Sequence, residues 1–133
     1  MKKTVALFLL LCTLAFILSS CAINPLLNPG LEEWHIKSAR NDEGFLDNDY
    51  VKNTVYIKFN SNDRVIFKPV NSDCEMVGTF TYDFHENFEI AFENGEKTQN
   101  GNLNYFYSLA DFGSCEGSLI FEFRGIMYFF YFE

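Results

Sequence analysis

From Leu31 onward, apolar and polar residues alternate with period two far more often than with the 3.6-residue period of a helix. That pattern predicts half-buried strands. Trp34 and Ile36 share a face within residues 33–37, and Val55, Ile57 and Phe59 alternate with Tyr56 and Lys58 before a polar turn at 60–63. Residues 64–68 read as the next strand. After a break at 69–73, Met76, Gly78, Phe80, Tyr82 and Phe84 share one face of a longer strand. Phe88, Ile90 and Phe92 then alternate with Glu89, Ala91 and Glu93, and Asn94-Gly95 supplies hairpin-turn chemistry. The clearest hairpin joins residues 118–123 to 126–132 around Arg124-Gly125, with Leu119, Phe121 and Phe123 facing inward.

Two stretches depart from the alternation. Residues 40–53 are polar and rich in turn formers, which predicts a long loop. In residues 102–110, Leu103, Phe106 and Leu109, with Tyr107 and Ala110, line one side of a short helix bounded by Gly101 and Gly113; a strand is the alternative there. The last segment, Ile126 to Phe132, is apolar on both faces, and strands of that kind are covered twice. The core beneath and the helix of 102–110 above supply the two covers. Alternatively, Tyr128, Phe129, Phe130, Tyr131 and Phe132 form an exposed aromatic surface for a ligand or partner. Together the segments predict a mainly β domain: one small antiparallel barrel or strongly bent sheet of about seven strands with one short helix.

The first 20 residues follow a different logic. Lys2 and Lys3 precede an apolar run from Val5 to Leu18, the layout of a secretory signal peptide and too short to span a bilayer comfortably. Leu18-Ser19-Ser20-Cys21 closes the run and resembles the lipobox of bacterial lipoproteins. The resemblance implies cleavage before Cys21, which then carries a thioether-linked diacylglycerol and an amide-linked acyl chain. Two or more chains make a stable anchor, each buried methylene adding about 0.8 kcal/mol. Ala22 rather than Asp follows the cysteine, which by likeness to the enterobacterial sorting pattern implies an outer-membrane address facing the periplasm. Residues 21–30, with Asn24-Pro25 and Asn28-Pro29-Gly30 as breakers, form a lipidated tether, and residues 31–133 form the domain.

Charge narrows the partners. The whole chain carries a formal −8; Lys2 and Lys3 leave with the leader while all 18 acidic residues stay, which takes the mature balance to −10. A chain this acidic is repelled by nucleic acid and by anionic lipid headgroups. With 48% hydrophobic and 18% aromatic residues it is nevertheless built to fold. The 113 residues after the leader suffice for one domain.

No catalytic, metal or cofactor constellation emerges. Cys74 and Cys115 remain after Cys12 is discarded and Cys21 acylated, and an oxidising compartment makes a disulfide the expectation. Closing that loop would stabilise the fold by roughly 4 kcal/mol. Two buried thiols are the alternative; a metal site lacks partners at ligand spacing. Gly113-Ser114-Cys115-Glu116-Gly117 has the spacing of a nucleophile elbow, but a strand rather than a helix follows it. His35 and His85 lie 50 residues apart and read as solvated. Asp42, Glu43, Asp47 and Asp49 lack the spacing of a calcium loop and read as a solvated acidic stretch.

The order Leu31-x-x-Trp34-x-Ile36, Ile57-x-Phe59, Arg64-Val65, then Cys74 and Gly78-Thr79-Phe80 resembles the META domain of bacterial envelope proteins of the HslJ type. Phe106-x-x-Leu109 would be that family's helix, and Leu119-x-Phe121 with Tyr128-Phe129-Phe130 its closing hairpin. A bacterial lipocalin-like domain shares the early tryptophan and the Gly-x-aromatic strand but lacks the helix. Neither likeness carries over a defined activity, and the expected role is a non-enzymatic interaction or envelope-maintenance role, with another envelope protein as partner. The second implies a carrier of a small apolar ligand.

Overall fold

The computed structural model describes residues 3–12, 33–60, 63–83, 87–108 and 114–132. Residues 3–12 form helix α1, on which Val5, Phe8 and Leu10 are exposed. No helix among the described residues is long and apolar enough to cross a membrane. The other described residues are built around one antiparallel sheet of nine strands, curled into a half-barrel, with a second short helix.

In chain order the elements are β1 (His35–Asn41), β2 (Gly44–Phe45), helix α2 (Asn48–Thr54), β3 (Tyr56–Phe59), β4 (Arg64–Lys68), β5 (Met76–Tyr82), β6 (Asn87–Phe92), β7 (Gln99–Ser108), β8 (Ser114–Phe123) and β9 (Ile126–Phe132). The strand order is β2-β1-β9-β8-β7-β6-β5-β4-β3. From β3 to β9 the chain meanders between neighbours, and β1 then pairs with β9 to extend the other edge.

The alternation in the sequence becomes the inside and outside of this sheet. Ile57, Val65, Phe67, Phe88, Ile90, Leu119, Phe121, Tyr128 and Phe130 are all buried, while Lys58, Thr79, Thr81 and Glu89 are exposed. Phe67 is the hub. Its ring lies 5.2 Å from Phe121, 5.0 Å from Tyr128, 5.9 Å from Phe123, 6.2 Å from Phe92 and 6.3 Å from Phe130, mostly edge to face. β4 is separated from β8 by three strands in the sheet, so these contacts cross the interior. The Val70 N–H closes the same path by donating to Tyr128 Oη at 3.2 Å.

Two glycines mark close approaches that a side chain would obstruct. A Cβ at Gly101 would collide with the Phe88 carbonyl oxygen, and one at Gly117 with the Phe132 ring. These contacts let β7 lie against β6 and let Phe132 turn inward across β8.

Several expectations are corrected. The described residues hold nine strands rather than about seven. Residues 102–108 are not helical: Leu103 pairs with Leu119 and Tyr107 with Cys115, so the cross-strand partner of β8 overrides the local helical spacing. The likeness to a META domain loses the helix it placed there. Residues 40–53 are not a loop, because β1 runs to Asn41 and α2 follows the β1–β2 hairpin. Asp47 starts that helix, its carboxylate accepting from the Tyr50 N–H at 2.8 Å, and Val51 and Val55 are buried one turn apart. The helical cover expected over β9 at 102–110 is therefore not found at 102–108, and residues 109 and 110 lie outside the described residues. Outer-face neighbours shield β9 instead, with Arg40 5.7 Å above the Phe129 ring and His35 5.8 Å from Tyr131.

The expected Cys74–Cys115 disulfide is also corrected, since Cys74 is an exposed free thiol. β5 and β7 are both antiparallel to β6 and so run the same way. Cys74 precedes the start of β5, whereas Cys115 pairs with Tyr107 near the far end of β7. The two positions lie toward opposite ends of the sheet, well beyond the 4.4–6.8 Å between Cα atoms that a disulfide typically requires.

Three outcomes follow. Phe67→Ala should cost about 3–5 kcal/mol in denaturant unfolding, as for other large buried rings. Burial pushes the Tyr128 hydroxyl up to about 12. The unfolded tyrosine ionises near pH 10 and the folded one does not, so the neutral ring stabilises the fold fully below pH 10 and progressively less from there to pH 12. Thermal unfolding across that window should fall more steeply for the wild type than for Tyr128→Phe. Finally, iodoacetamide applied to the native protein without reductant should alkylate Cys74, as read by peptide mass; an unmodified Cys74 released only by reduction would restore the disulfide.

Candidate functional site

A sheet of nine strands that curls without pairing its first and last members leaves a seam. Here it runs between β1 and β3, which are not hydrogen-bonded to each other. Seven antiparallel steps separate them, so they run in opposite directions and the start of β1 faces the end of β3. Trp34 and Phe59 meet across the gap with ring centroids 6.0 Å apart, and Trp34 packs edge-on against Phe132 at 4.8 Å. Helix α2 closes one end of the seam by burying Val51 and Val55.

The open remainder is a cleft of about 760 Å³. Glu33 to Ile36 form one wall, Val55 to Asn60 the other, and Lys52 and Tyr131 stand at its mouth. A smaller hollow of about 390 Å³ shares Lys52 and Tyr131 and adds Lys37, Glu116 and Ser118.

The β3 wall presents backbone as well as side chains. The Asn60 N–H donates to the Arg64 carbonyl at 2.8 Å, which fixes Lys58–Ile66 and Tyr56–Lys68 as the hydrogen-bonded rungs with β4. The N–H and C=O groups of Ile57 and Phe59 therefore point into the seam. An edge of that kind can accept an extended peptide.

Charge is unevenly placed around it. Arg64, Lys97 and Arg124 form ion pairs with Glu93, Glu89 and Glu96. Arg124 holds the Glu96 carboxyl below the usual carboxylate range. Lys37, Lys52 and Lys58 make no ion pair with any described residue. Lys58 Nζ lies 5.0 Å over the Tyr56 ring. Tyr56 in turn donates its hydroxyl to Glu75, which raises its pKa above the ordinary tyrosine value. The seam thus gathers cations that are left unpaired in a strongly acidic chain.

The residues singled out in the sequence scatter. Of the aromatic run at 128–132, Tyr128, Phe130 and Phe132 are core, 1–2% exposed, and only Phe129 and Tyr131 lie half-buried on the outer face. His35 is exposed beside the seam. His85 and Cys21 lie outside the described residues. Asp47 and Asp49 serve the first turn of α2, while Asp42 and Glu43 form the β1–β2 turn. Cys115 is within strand β8 rather than on a strand-to-helix elbow.

The seam itself was not anticipated. Its one sequence signal was Asp47 ahead of Val51 and Val55, a helix start that would have placed a plug between two strands. A seam also depends on which strands end the sheet, and no local pattern encodes that. Comparison with known protein families, curated proteins and solved structures returns no match, so the functional reading rests on this chain's own residues.

Proposed function

We propose that the chain is a bacterial envelope lipoprotein, anchored through Cys21 at the outer membrane, whose β domain works by non-covalent binding at the β1–β3 seam. The observation that carries the binding reading is where space lies. The interior is occupied by the rings around Phe67, and a cleft of about 760 Å³ lies at the seam, with a free strand edge and lysines that make no ion pair with any described residue along it. The partner that fits is an extended, acidic segment of another envelope protein: backbone pairing with Ile57 and Phe59 would give affinity, and Lys52 and Lys58 the charge preference. A carrier of a small apolar molecule would need the interior volume that the aromatic rings fill. The lipobox supports the address, and Glu33, the first described residue of the β domain, lines the cleft.

The anchor and the seam are read separately. Cys21→Ala should move the protein from the membrane fraction to the soluble envelope fraction, and retention in the membrane would remove the anchor. A photo-crosslinking residue at Lys58 should give a discrete envelope adduct that the same residue at Lys97 does not. Saturable one-to-one binding of a fatty acid, followed by the single tryptophan, Trp34, would instead favour the carrier.

A further inference from the structure

The smaller hollow beside the seam gathers side chains from four elements. Lys37 reaches it from β1, Lys52 from α2, Glu116 and Ser118 from β8, and Tyr131 from β9. Register explains how the strands meet there. Tyr131 pairs with Ser118 on one side and with His35 on the other, so these three residues form one row across β8, β9 and β1. The row faces away from the core: Ser118 and Tyr131 are half-buried and His35 is exposed, while Leu119, Phe130 and Ile36 beside them are buried.

Lys37 owes its place to a bulge. From Ile36 to Ser38 is two steps along β1, yet their partners Phe130 and Phe129 are one step apart on β9. Lys37 is the added residue, with no β9 partner in the register. Exposed Lys37 and half-buried Ser38 both stay off the core, and alternation then resumes in the opposite phase, with Ala39 fully buried and Arg40 over the Phe129 ring. An unbroken strand would have put Ala39 on the face of Lys37 and turned Arg40 to the core with Ile36. Lys52 arrives from another direction, one residue after buried Val51 in the last turn of a helix that packs against β1. Arg64, Lys97 and Arg124 each have a carboxylate partner, whereas Lys37, Lys52 and Glu116 make no ion pair with any described residue. Two ammonium groups against one carboxylate leave the described lining of the hollow net positive in a chain of formal charge −8. Ser118 and Tyr131 add two hydroxyl donors. The volume of about 390 Å³ is in the range typical of small-molecule sites.

From this cluster we propose that the hollow binds a small phosphate monoester that also carries a hydroxyl group. Such an ester bears about −1.5 to −2 charge at pH 7 and three strong acceptor oxygens, which match two ammonium groups and two hydroxyl donors. A single carboxylate offers one charge and two coplanar oxygens, and would leave one lysine unanswered. Lysine meets phosphate as a point charge and needs no planar, bidentate fit. Glu116 selects the ester over free phosphate: its carboxylate repels a second dianion, but it accepts a hydrogen bond from an alcohol on the organic part. The site stands on the hollow alone, whether or not Cys21 is acylated and whatever the cleft takes.

Isothermal titration calorimetry of the full chain in detergent, at constant ionic strength, reads the binding. Glycerol 3-phosphate should bind one to one and saturate at millimolar concentration or below. Inorganic phosphate should bind roughly fivefold more weakly, and glycerol should give no heat of binding. Lys37→Gln and Lys52→Gln should each weaken glycerol 3-phosphate by roughly tenfold, since each removes a charge-assisted hydrogen bond. Lys58→Gln should change the affinity by less than about twofold, because Lys58 lines the cleft and not the hollow, and screening weakens its field there. Glu116→Gln should bring inorganic phosphate level with the ester. All four side chains are exposed, and thermal unfolding checks that each variant keeps its fold; Ser118→Ala repeats the measurement should a lysine variant not fold. No saturable binding of glycerol 3-phosphate, an ester bound no better than inorganic phosphate by the wild type, or equal losses at Lys37, Lys52 and Lys58 overturns the site.

Discussion

The fold depends on one packing constraint: rings from strands that are far apart in the sheet must meet in the middle. Phe67 of β4 touches Phe121 and Tyr128 on β8 and β9, which a flat sheet would hold several strand spacings away. Only a strongly curled sheet satisfies those contacts. Aromatic pairs contribute roughly 0.5–1.5 kcal/mol each beyond the area they bury, and Phe67 makes five of them. A barrel of about eight strands is just wide enough for side chains to fill. Here the volume of the rings, rather than backbone pairing of the two edges, sets how far the sheet closes, and the seam between β1 and β3 is the consequence.

That consequence shapes the chemistry available. Rings fill the interior around Phe67, and the backbone donors and acceptors left over lie on the β3 edge. Helix α2 narrows the edge from one end with Val51 and Val55 and leaves the other end open beside Trp34 and Phe59. The ion pairs elsewhere are exposed and individually worth little, in the range of about 0–1 kcal/mol. Their significance lies in distribution. Arg124 ties the β8–β9 turn to Glu96 in the β6–β7 connection at 2.5 Å, and Arg64 meets Glu93 at 3.0 Å. The cations of the seam stay available in a chain whose acidic residues outnumber its basic ones.

How much of this was legible in the sequence follows from how local each feature is. Burial of Ile57 and Phe59, of Phe88, Ile90 and Phe92, and of Leu119, Phe121 and Phe123 follows from alternation, which is a property of each strand alone. The β8–β9 hairpin was equally local, with Arg124 and Gly125 both at positive φ in its turn. Residues 102–108 were not legible, because Leu103, Phe106 and Tyr107 fit a helix spacing and a strand spacing alike and the partner strand decided between them. Asp47 went unread because its neighbours look like a loop. The disulfide failed on topology, since sequence separation between Cys74 and Cys115 carries no information about which end of the sheet each occupies.

Antiparallel order then accounts for which strand ends lie together. β1 and β8 both flank β9, so their first residues lie at the same end of the domain, and β3, running against β1, finishes there too. The start of β1 and the end of β3 are thereby brought together, which is where Trp34 and Phe59 meet. Moving β1 to the other edge of the sheet would preserve every strand's alternation and core face, yet it would pair β1 with β3 and shift the gap to the free edge of β9. The position of β1 beside β9, with Trp34 packed on Phe132, is therefore the arrangement that sets the start of β1 across the gap from the free edge of β3.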